Sequence, residues 1–328
     1  MAEEGMAEDE ELAAGLRAGL VRELVARGEL TDPRWLAAFE EVPRELFVPS
    51  YYVGAPGGHR RLSRDDPDPR ARDAWLSGVY VDEPLATYVR GGELISSSSQ
   101  PSLMAKMLAA LDLHDGHTVL EIGAGTGYNA ALLAHRLGDD AVTTVDLDPE
   151  ITDAARAHLA AAGFHPTVVT GDGALGCPSC APFDRTMATC ALSSVPPAWV
   201  AQSGPGGLIL APLATGLIAL RVADATHAEG RFLRTPAFFV PLRGAAVPPP
   251  PDRSGLPWRL LSSDRFQFLL TLSRMAPADA LALWHDEGRP PRERYGVTVA
   301  GDRQWAWLDT PEGPWRWPLG REISSGGA

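Results

Sequence analysis

Apolar residues at Leu16, Leu20, Leu24 and Val25 recur at helical spacing and predict a helix over residues 12–27. Asp32-Pro33 has the form of an N-cap with proline at the first helical position. It opens a second helix through Trp35, Phe39 and Val42, which Pro43 ends. Residues 54–72 are rich in Gly, Pro, Asp and Arg, lack periodicity and predict a mobile loop or insertion. Residues 102–113 read as helix again. From Thr118 a strand-then-helix rhythm sets in. The strands are 118–122, 141–145, 167–169, 185–190 and 208–213, with helices over 129–137 and 149–162. Short β-branched runs alternating with helices predict an α/β fold built on a parallel, doubly wound, Rossmann-like sheet. Residues 216–223 and 237–242 would add antiparallel edge strands.

Residues 244–252 form a proline-rich linker, with Pro248 to Pro251 consecutive. Beyond it lie helical patches at 266–272 and 279–284, then alternation over 295–308 that Gly301-Asp302 would turn into a hairpin. The layout read from the sequence is an acidic disordered tail (1–11), a main domain with N-terminal helices (12–244, insertion 54–75), a linker (245–252) and a small Trp-rich α+β extension (253–328). That extension is a candidate for substrate recognition.

Composition narrows the function. A net charge of −13 over 328 residues opposes a nucleic-acid backbone as partner, yet leaves room for a small cationic ligand. No run approaches the ~20 apolar residues that cross a bilayer, so no membrane partner is expected. The first dozen residues are acidic where a secretory signal would be basic and then apolar. With only 3 cysteines, a disulfide framework is excluded, and a reducing cytoplasmic location is expected. Cys177-Pro-Ser-Cys180 has metal or redox spacing, but no further ligands stand nearby and the setting is not thioredoxin-like. His135 and His158, on amphipathic helices, read as solvated.

The strongest chemical signal is Glu121-Ile-Gly123-Ala-Gly125-Thr-Gly127. Glycines after a first strand let a ligand approach the backbone, and the next helix points its N-terminus at that ligand. The dinucleotide fingerprint would need glycine at position 128, where Tyr128 stands. An acidic residue two before the first of three alternating glycines is instead the pattern of nucleoside-binding methyltransferases. Glu121 suits a cationic amino-acid and sulfonium moiety. Asp146, ending the second strand, is placed to accept from both ribose hydroxyls, with Asp148 as the alternative. Asp172 and Gly173, after the third strand, suit an adenine amino group.

The chain resembles protein-L-isoaspartate O-methyltransferases well beyond this loop. The resemblance is carried by Gly171-Asp-Gly173, Ala181-Pro-Phe-Asp-Arg185, Gly204-Pro-Gly-Gly207, Val42-Pro-Arg-Glu-Leu-Phe-Val-Pro49 and Tyr80-Val-Asp-Glu-Pro-Leu85. It covers roughly residues 16–243. It implies a class I fold, S-adenosyl-L-methionine as cofactor, and a protein or peptide substrate bearing Asp or isoAsp. Residues 95–105 resemble the family's substrate loop. Aligning on Gln100-Pro101 places the catalytic serine at Ser99, with Ser98 and Gln100 beside it, although the run Ser96–Ser99 leaves the register open. The insertion and the C-terminal extension depart from the compact repair enzyme. Larger relatives esterify a defined Asp in ribosomally made peptide precursors, and the ester collapses to aspartimide.

That chemistry asks little of the protein. A carboxylate with pKa near ~4 is already ionised and needs no general base. Ser99 would aim it through a hydrogen bond rather than attack, since no partner signature activates the hydroxyl. A small-molecule methyltransferase and a non-catalytic peptide-binding module are the alternatives. The C-terminal tryptophans (Trp258, Trp284, Trp305, Trp307, Trp315, Trp317) either line a peptide groove or close the extension's own core.

Overall fold

The computed structural model describes residues 2–55, 58–244 and 248–320. Backbone contacts divide it into two compact units, one ending at Gly171 and one beginning at Asp172.

In the first unit, helix α1 spans Ala2–Ala26. The helix predicted to begin at residue 12 therefore runs through the expected acidic tail. Ala and Glu favour helix, and the sequence of residues 2–11 offers no apolar period to read. α2 (Pro33–Glu41) starts as predicted, with Asp32 capping the Arg34 N–H, and the short α3 (Arg44–Phe47) follows. The expected loop at 54–72 is instead built structure. β1 (Ser50–Ala55) pairs antiparallel with β2 (Gly58–Ser63), and Asp68 caps α4 (Pro69–Val79). Charged strand residues that all face solvent (His59, Arg60, Arg61) erased the alternation that would have announced β2. β3 (Leu85–Arg90) and β4 (Glu93–Ser98) complete a sheet ordered β2-β1-β3-β4. Helix α5 (Pro101–Ala110) follows directly.

The parallel part matches the expected rhythm. β5 (Val119–Ile122), α6 (Tyr128–Leu137), β6 (Val142–Asp146), α7 (Pro149–Ala161) and β7 (Thr167–Thr170) form consecutive β-α-β crossovers, ordered β5-β6-β7. β5 and β6 are buried at every position, as strands covered on both faces must be.

In the second unit, β8 (Phe183–Ala188) and β9 (Ser203–Leu213) pair in parallel around α8 (Pro197–Ala201). β10 (Gly216–Asp224) and β11 (His227–Pro236) continue the sheet antiparallel. The second edge strand therefore lies at 227–236, not at 237–242, where Pro241 makes only an isolated bridge to Ala191. After α9 (Trp258–Leu261), α10 (Asp264–Ser273) and α11 (Pro277–Asp286), the chain returns to the sheet. β12 (Tyr295–Ala300) pairs with β11, followed by β13 (Arg303–Leu308) and β14 (Arg316–Pro318). The extension, set apart in the sequence as 253–328, is thus woven into the second unit's sheet. Of the linker, 245–247 lie outside the described residues and 248–252 carry no regular structure.

Most of the tryptophans belong to this core. Trp284, Trp307 and Trp317 are buried, and the Nε1 atoms of half-buried Trp305 and Trp315 donate to Pro311 O and Glu287 Oε1. Trp258 stands out at 71% exposed.

Candidate active site

The glycine loop leaves β5 with left-handed backbone at Gly125 (φ 52°) and Gly127 (φ 89°), conformations that disfavour any side chain. A Cβ on Gly127 would lie 3.2 Å from Leu159 Cγ, so α7 packs directly on the start of α6. The loop is pinned to the end of β6, with Gly123 N donating to Val145 O at 2.8 Å and Gly125 N to Asp146 Oδ2 at 3.2 Å. Asp146 Oδ1 also accepts from Asp148 N.

The two candidate ribose carboxylates have different surroundings. Asp148 is the N-cap of α7: Oδ1 accepts from Glu150 N at 3.0 Å, and Oδ2 accepts from Arg90 on the β3–β4 hairpin at 3.0 Å. Both carboxylates are engaged by the scaffold, Asp146 by the Gly125 and Asp148 backbone N–H groups and Asp148 by its own helix start and Arg90. Asp146 lies against the loop itself.

Glu121 is fully buried on β5. Oε1 accepts from Asn129 Nδ2 at 2.7 Å, and Oε2 has no partner within hydrogen-bond distance among the described residues. Desolvation pushes its carboxyl up to about 7 and the Asp146 charge adds to the rise, while Thr144 and Asn129 oppose it. A buried carboxylate with an unpartnered oxygen beneath a left-handed glycine loop fits a cationic ligand, which would relieve that cost.

The serine run lies against the same loop. A Cβ on Gly125 would sit 3.5 Å from Ser96 Oγ and 3.6 Å from the Ser97 carbonyl oxygen. Strand pleat turns Ser96 and Ser98 inward, whereas Ser97 and Ser99 are half-buried. Ser98 Oγ accepts from Arg44 Nη2 at 3.3 Å. Ser99 is held through its carbonyl, which accepts from the same nitrogen at 3.1 Å, and its hydroxyl has no partner among the described residues. Gln100 is engaged by Asp82, its Nε2 donating to the Asp82 carbonyl at 3.0 Å. Asp82 Oδ1 accepts from Ser102 N and so anchors the start of α5.

Sequence reasoning missed two of these residues. Arg44 is 0% exposed. Besides the two serines it donates to Val79 O at 2.6 Å, and its guanidinium lies 5.9 Å from the centre of the Tyr128 ring. It binds α3, the end of α4, the serine loop and the first residue of α6 into one cluster. Its place in Val42-Pro-Arg-Glu was visible, but its burial was not. His158, read as solvated, turns inward so that Nδ1 meets Thr126 O of the glycine loop at 3.0 Å, and burial lowers its pKa. Tyr128, where a dinucleotide site would have glycine, packs on Phe47.

In the second unit, Asp172 Oδ1 accepts from Ala174 N at 2.9 Å, which closes a turn over Gly173–Leu175. The Gly173 carbonyl accepts from Trp199 Nε1 at 2.8 Å. A mainly apolar cavity of about 390 Å³ opens beside this turn, lined by Leu175, Leu192, Ser193, Pro196 and Leu242 among others. Among the described residues no group of three or more His, Cys, Asp or Glu could hold a metal.

A β-strand feeding a left-handed glycine loop, a carboxylate ending the next strand and Tyr128 in place of the dinucleotide fingerprint's third glycine are the marks of a nucleoside-binding methyltransferase. The family model for protein-L-isoaspartate(D-aspartate) O-methyltransferase matches residues 70–245. Protein-L-isoaspartate O-methyltransferase 1 of Anaeromyxobacter sp. is 38% identical over 237 residues, covering 70% of this chain and 96% of its own. The enzyme of Methanopyrus kandleri is 36% identical over 211 residues, 63% and 81% of the two chains. A solved protein-L-isoaspartate O-methyltransferase superposes with TM-score 0.62 at 24% identity, covering 90% of this chain and 100% of that one. A Plasmodium falciparum beta-aspartate methyltransferase solved with S-adenosyl-L-homocysteine gives 0.53 at 15% identity, covering 69% and 98%. These two structures establish the shared fold. The chain belongs to the protein-L-isoaspartate O-methyltransferase family of S-adenosylmethionine-dependent enzymes.

Proposed function

We propose that this chain methylates the side-chain or α-carboxylate of aspartyl or isoaspartyl residues in a protein or peptide, and that the ester then closes to aspartimide. Beyond family membership, one observation supports the reading most: Ser96 and Ser97, at the head of the serine run, lie against the glycine loop at Gly125. This brings a hydroxyl-bearing strand end to a cationic-nucleoside site.

S-adenosyl-L-methionine supplies, when bound, a methyl group on a cationic sulfur. Asp146 accepts hydrogen bonds from the ribose, and Glu121 sets a negative charge beneath the loop. Asp172 and Gly173 take the adenine, a role that rests on the sequence resemblance. Ser99, its carbonyl fixed by Arg44 and its hydroxyl unengaged, donates a hydrogen bond that aims the substrate carboxylate. No general base is needed, because that carboxylate is ionised at neutral pH. Afterwards the following backbone nitrogen attacks the ester carbonyl and methanol leaves, a step that needs no residue of this chain.

Incubation with an isoaspartyl peptide and methyl-labelled cofactor tests this. The expected product is a base-labile ester, lost in Ser99→Ala with cofactor affinity retained. A base-stable methyl group would point to a different acceptor. Peptide binding without any transfer would point to a binding module.

The same chemistry serves repair of damaged proteins or maturation of a ribosomally made precursor. The extension beyond residue 252 lies outside the family match and exposes Trp258, which favours a dedicated peptide partner. A precursor encoded beside the gene and esterified far faster than generic isoaspartyl peptides would support maturation. Equal rates would support repair.

A further inference from the structure

The Cys177-Pro-Ser-Cys180 turn belongs to none of this machinery, yet it is tightly built. Cys180 N donates to Cys177 O at 3.1 Å, and Gly176 enters the turn with φ 63°. Gln202, itself buried, clamps the segment from below. Its Oε1 accepts from Cys177 N at 2.8 Å, and its Nε2 donates to Leu175 O at 2.7 Å. A Cβ on Gly176 would lie 2.4 Å from that same Oε1, so the clamp closes only over glycine. Within the turn the two sulfurs face each other at 2.7 Å, far inside ordinary contact and less than an ångström beyond the ~2.05 Å of a disulfide bond. Cys177 is 3% exposed, whereas Cys180 reaches the surface in part. Two small apolar side chains that merely filled space would stand farther apart. With no third ligand in reach among the described residues, a metal does not account for the pair.

We propose that Cys177 and Cys180 are a reversible dithiol–disulfide site whose oxidant is a hydroperoxide. Cys180, the accessible sulfur, attacks the distal peroxide oxygen. The O–O bond breaks, the other oxygen leaves as water or an alcohol, and Cys180 becomes a sulfenic acid. Cys177 then attacks that sulfur. The S–S bond forms, the S–O bond breaks, and hydroxide leaves with the Cys177 proton as water. Two thiols and one hydroperoxide thus give one disulfide, one water and one further water or alcohol. Burial raises the Cys177 pKa, which suits a thiol that waits for its partner. The resolving thiol keeps Cys180 from over-oxidation to a charged sulfinate.

The test treats the full-length protein with hydrogen peroxide near one equivalent, then alkylates it under denaturing conditions and maps the peptides by mass spectrometry. Two of the 3 thiols should be lost together as a Cys177–Cys180 disulfide, leaving Cys190 alkylated, and dithiothreitol should restore all of them. In Cys177→Ser, Cys180 should pass to sulfinate that reductant does not recover. In Cys180→Ser, Cys177 should stay a thiol. Circular dichroism of each variant confirms folding. The proposal is overturned if wild-type Cys180 accumulates as sulfinate or as an intermolecular disulfide while Cys177 stays free, or if Cys190 oxidises before the pair. These readouts are independent of methyl transfer, so the fate of the proposed function leaves them unaffected.

Discussion

Arg44 carries a charge into the interior with carbonyls and the Ser98 hydroxyl, not a carboxylate, as its hydrogen-bond acceptors there, and desolvation lowers its pKa accordingly. Arg44→Met would strand the Val79 and Ser99 carbonyls, at about 1–3 kcal/mol for each buried acceptor left unpaired. The expected outcome is a lower unfolding midpoint and reduced kcat, with cofactor affinity measured by calorimetry held near wild type. Arg44→Lys should recover stability better than turnover, because an ammonium cannot reach two directions with a planar fork. Full activity in the Met variant would show that the serine loop is positioned without it. Glu121 gives a pH prediction. Its carboxyl is raised from 4.5 to about 7, so between those values the unfolded chain has already released a proton that the folded state keeps. Stability attributable to this group therefore falls as pH rises through that window and stays low above it, by about 3 kcal/mol. Chemical denaturation of Glu121→Gln from pH 5 to 8 should show a flatter profile, with the largest gain over wild type on the alkaline side.

At the scale of elements, the end of β6 and the turn after it carry two aspartates, one closing the strand and one capping α7. Asp148→Ala removes an N-cap and should destabilise the enzyme by about 1 kcal/mol while sparing cofactor binding. Asp146→Ala should abolish cofactor affinity in calorimetry, and by stranding the Gly125 and Asp148 N–H groups should also lower thermal stability. Interchanged phenotypes would reassign the ribose contact to Asp148. The sequence could rank these two residues but not separate them, because an N-cap and a ligand carboxylate look alike until the helix start is located. The same limit explains other differences. The placement of Glu121, the glycines and Asp146 at strand ends and in the β5–α6 loop was legible because strand ends and positive-φ turns have strong local signatures. The β1–β2 hairpin hid because its outer face is charged throughout, and Arg44 hid because burial of a charge depends on partners 35 to 55 positions away.

For the whole molecule, the C-terminal extension is the largest departure from what periodicity conveys. Its helices and hairpin could be read from the sequence, but its attachment could not, since nothing local announces that β12 pairs with β11. Phe268 packs edge-on to Phe232 at 4.8 Å between ring centres, and Phe266, Trp284 and Tyr295 are buried with it. Each such side chain contributes roughly 1.5–3 kcal/mol when buried. A chain ending at Asp252 should therefore aggregate, or melt well below the full protein, in size-exclusion and thermal-unfolding assays. A monodisperse, active truncation would show the extension to be dispensable to the fold.

The β11–β12 pairing also bears on how the polypeptide is made. A ribosome completes β11 long before β12 emerges, and throughout that interval the far edge of β11 offers unsatisfied amides and carbonyls to any neighbouring strand. Synthesis passes through a vulnerable nascent stage that ends only when the last hairpin arrives. Chaperone capture before that point should raise the soluble yield, and slower translation should lower it, without changing the finished enzyme.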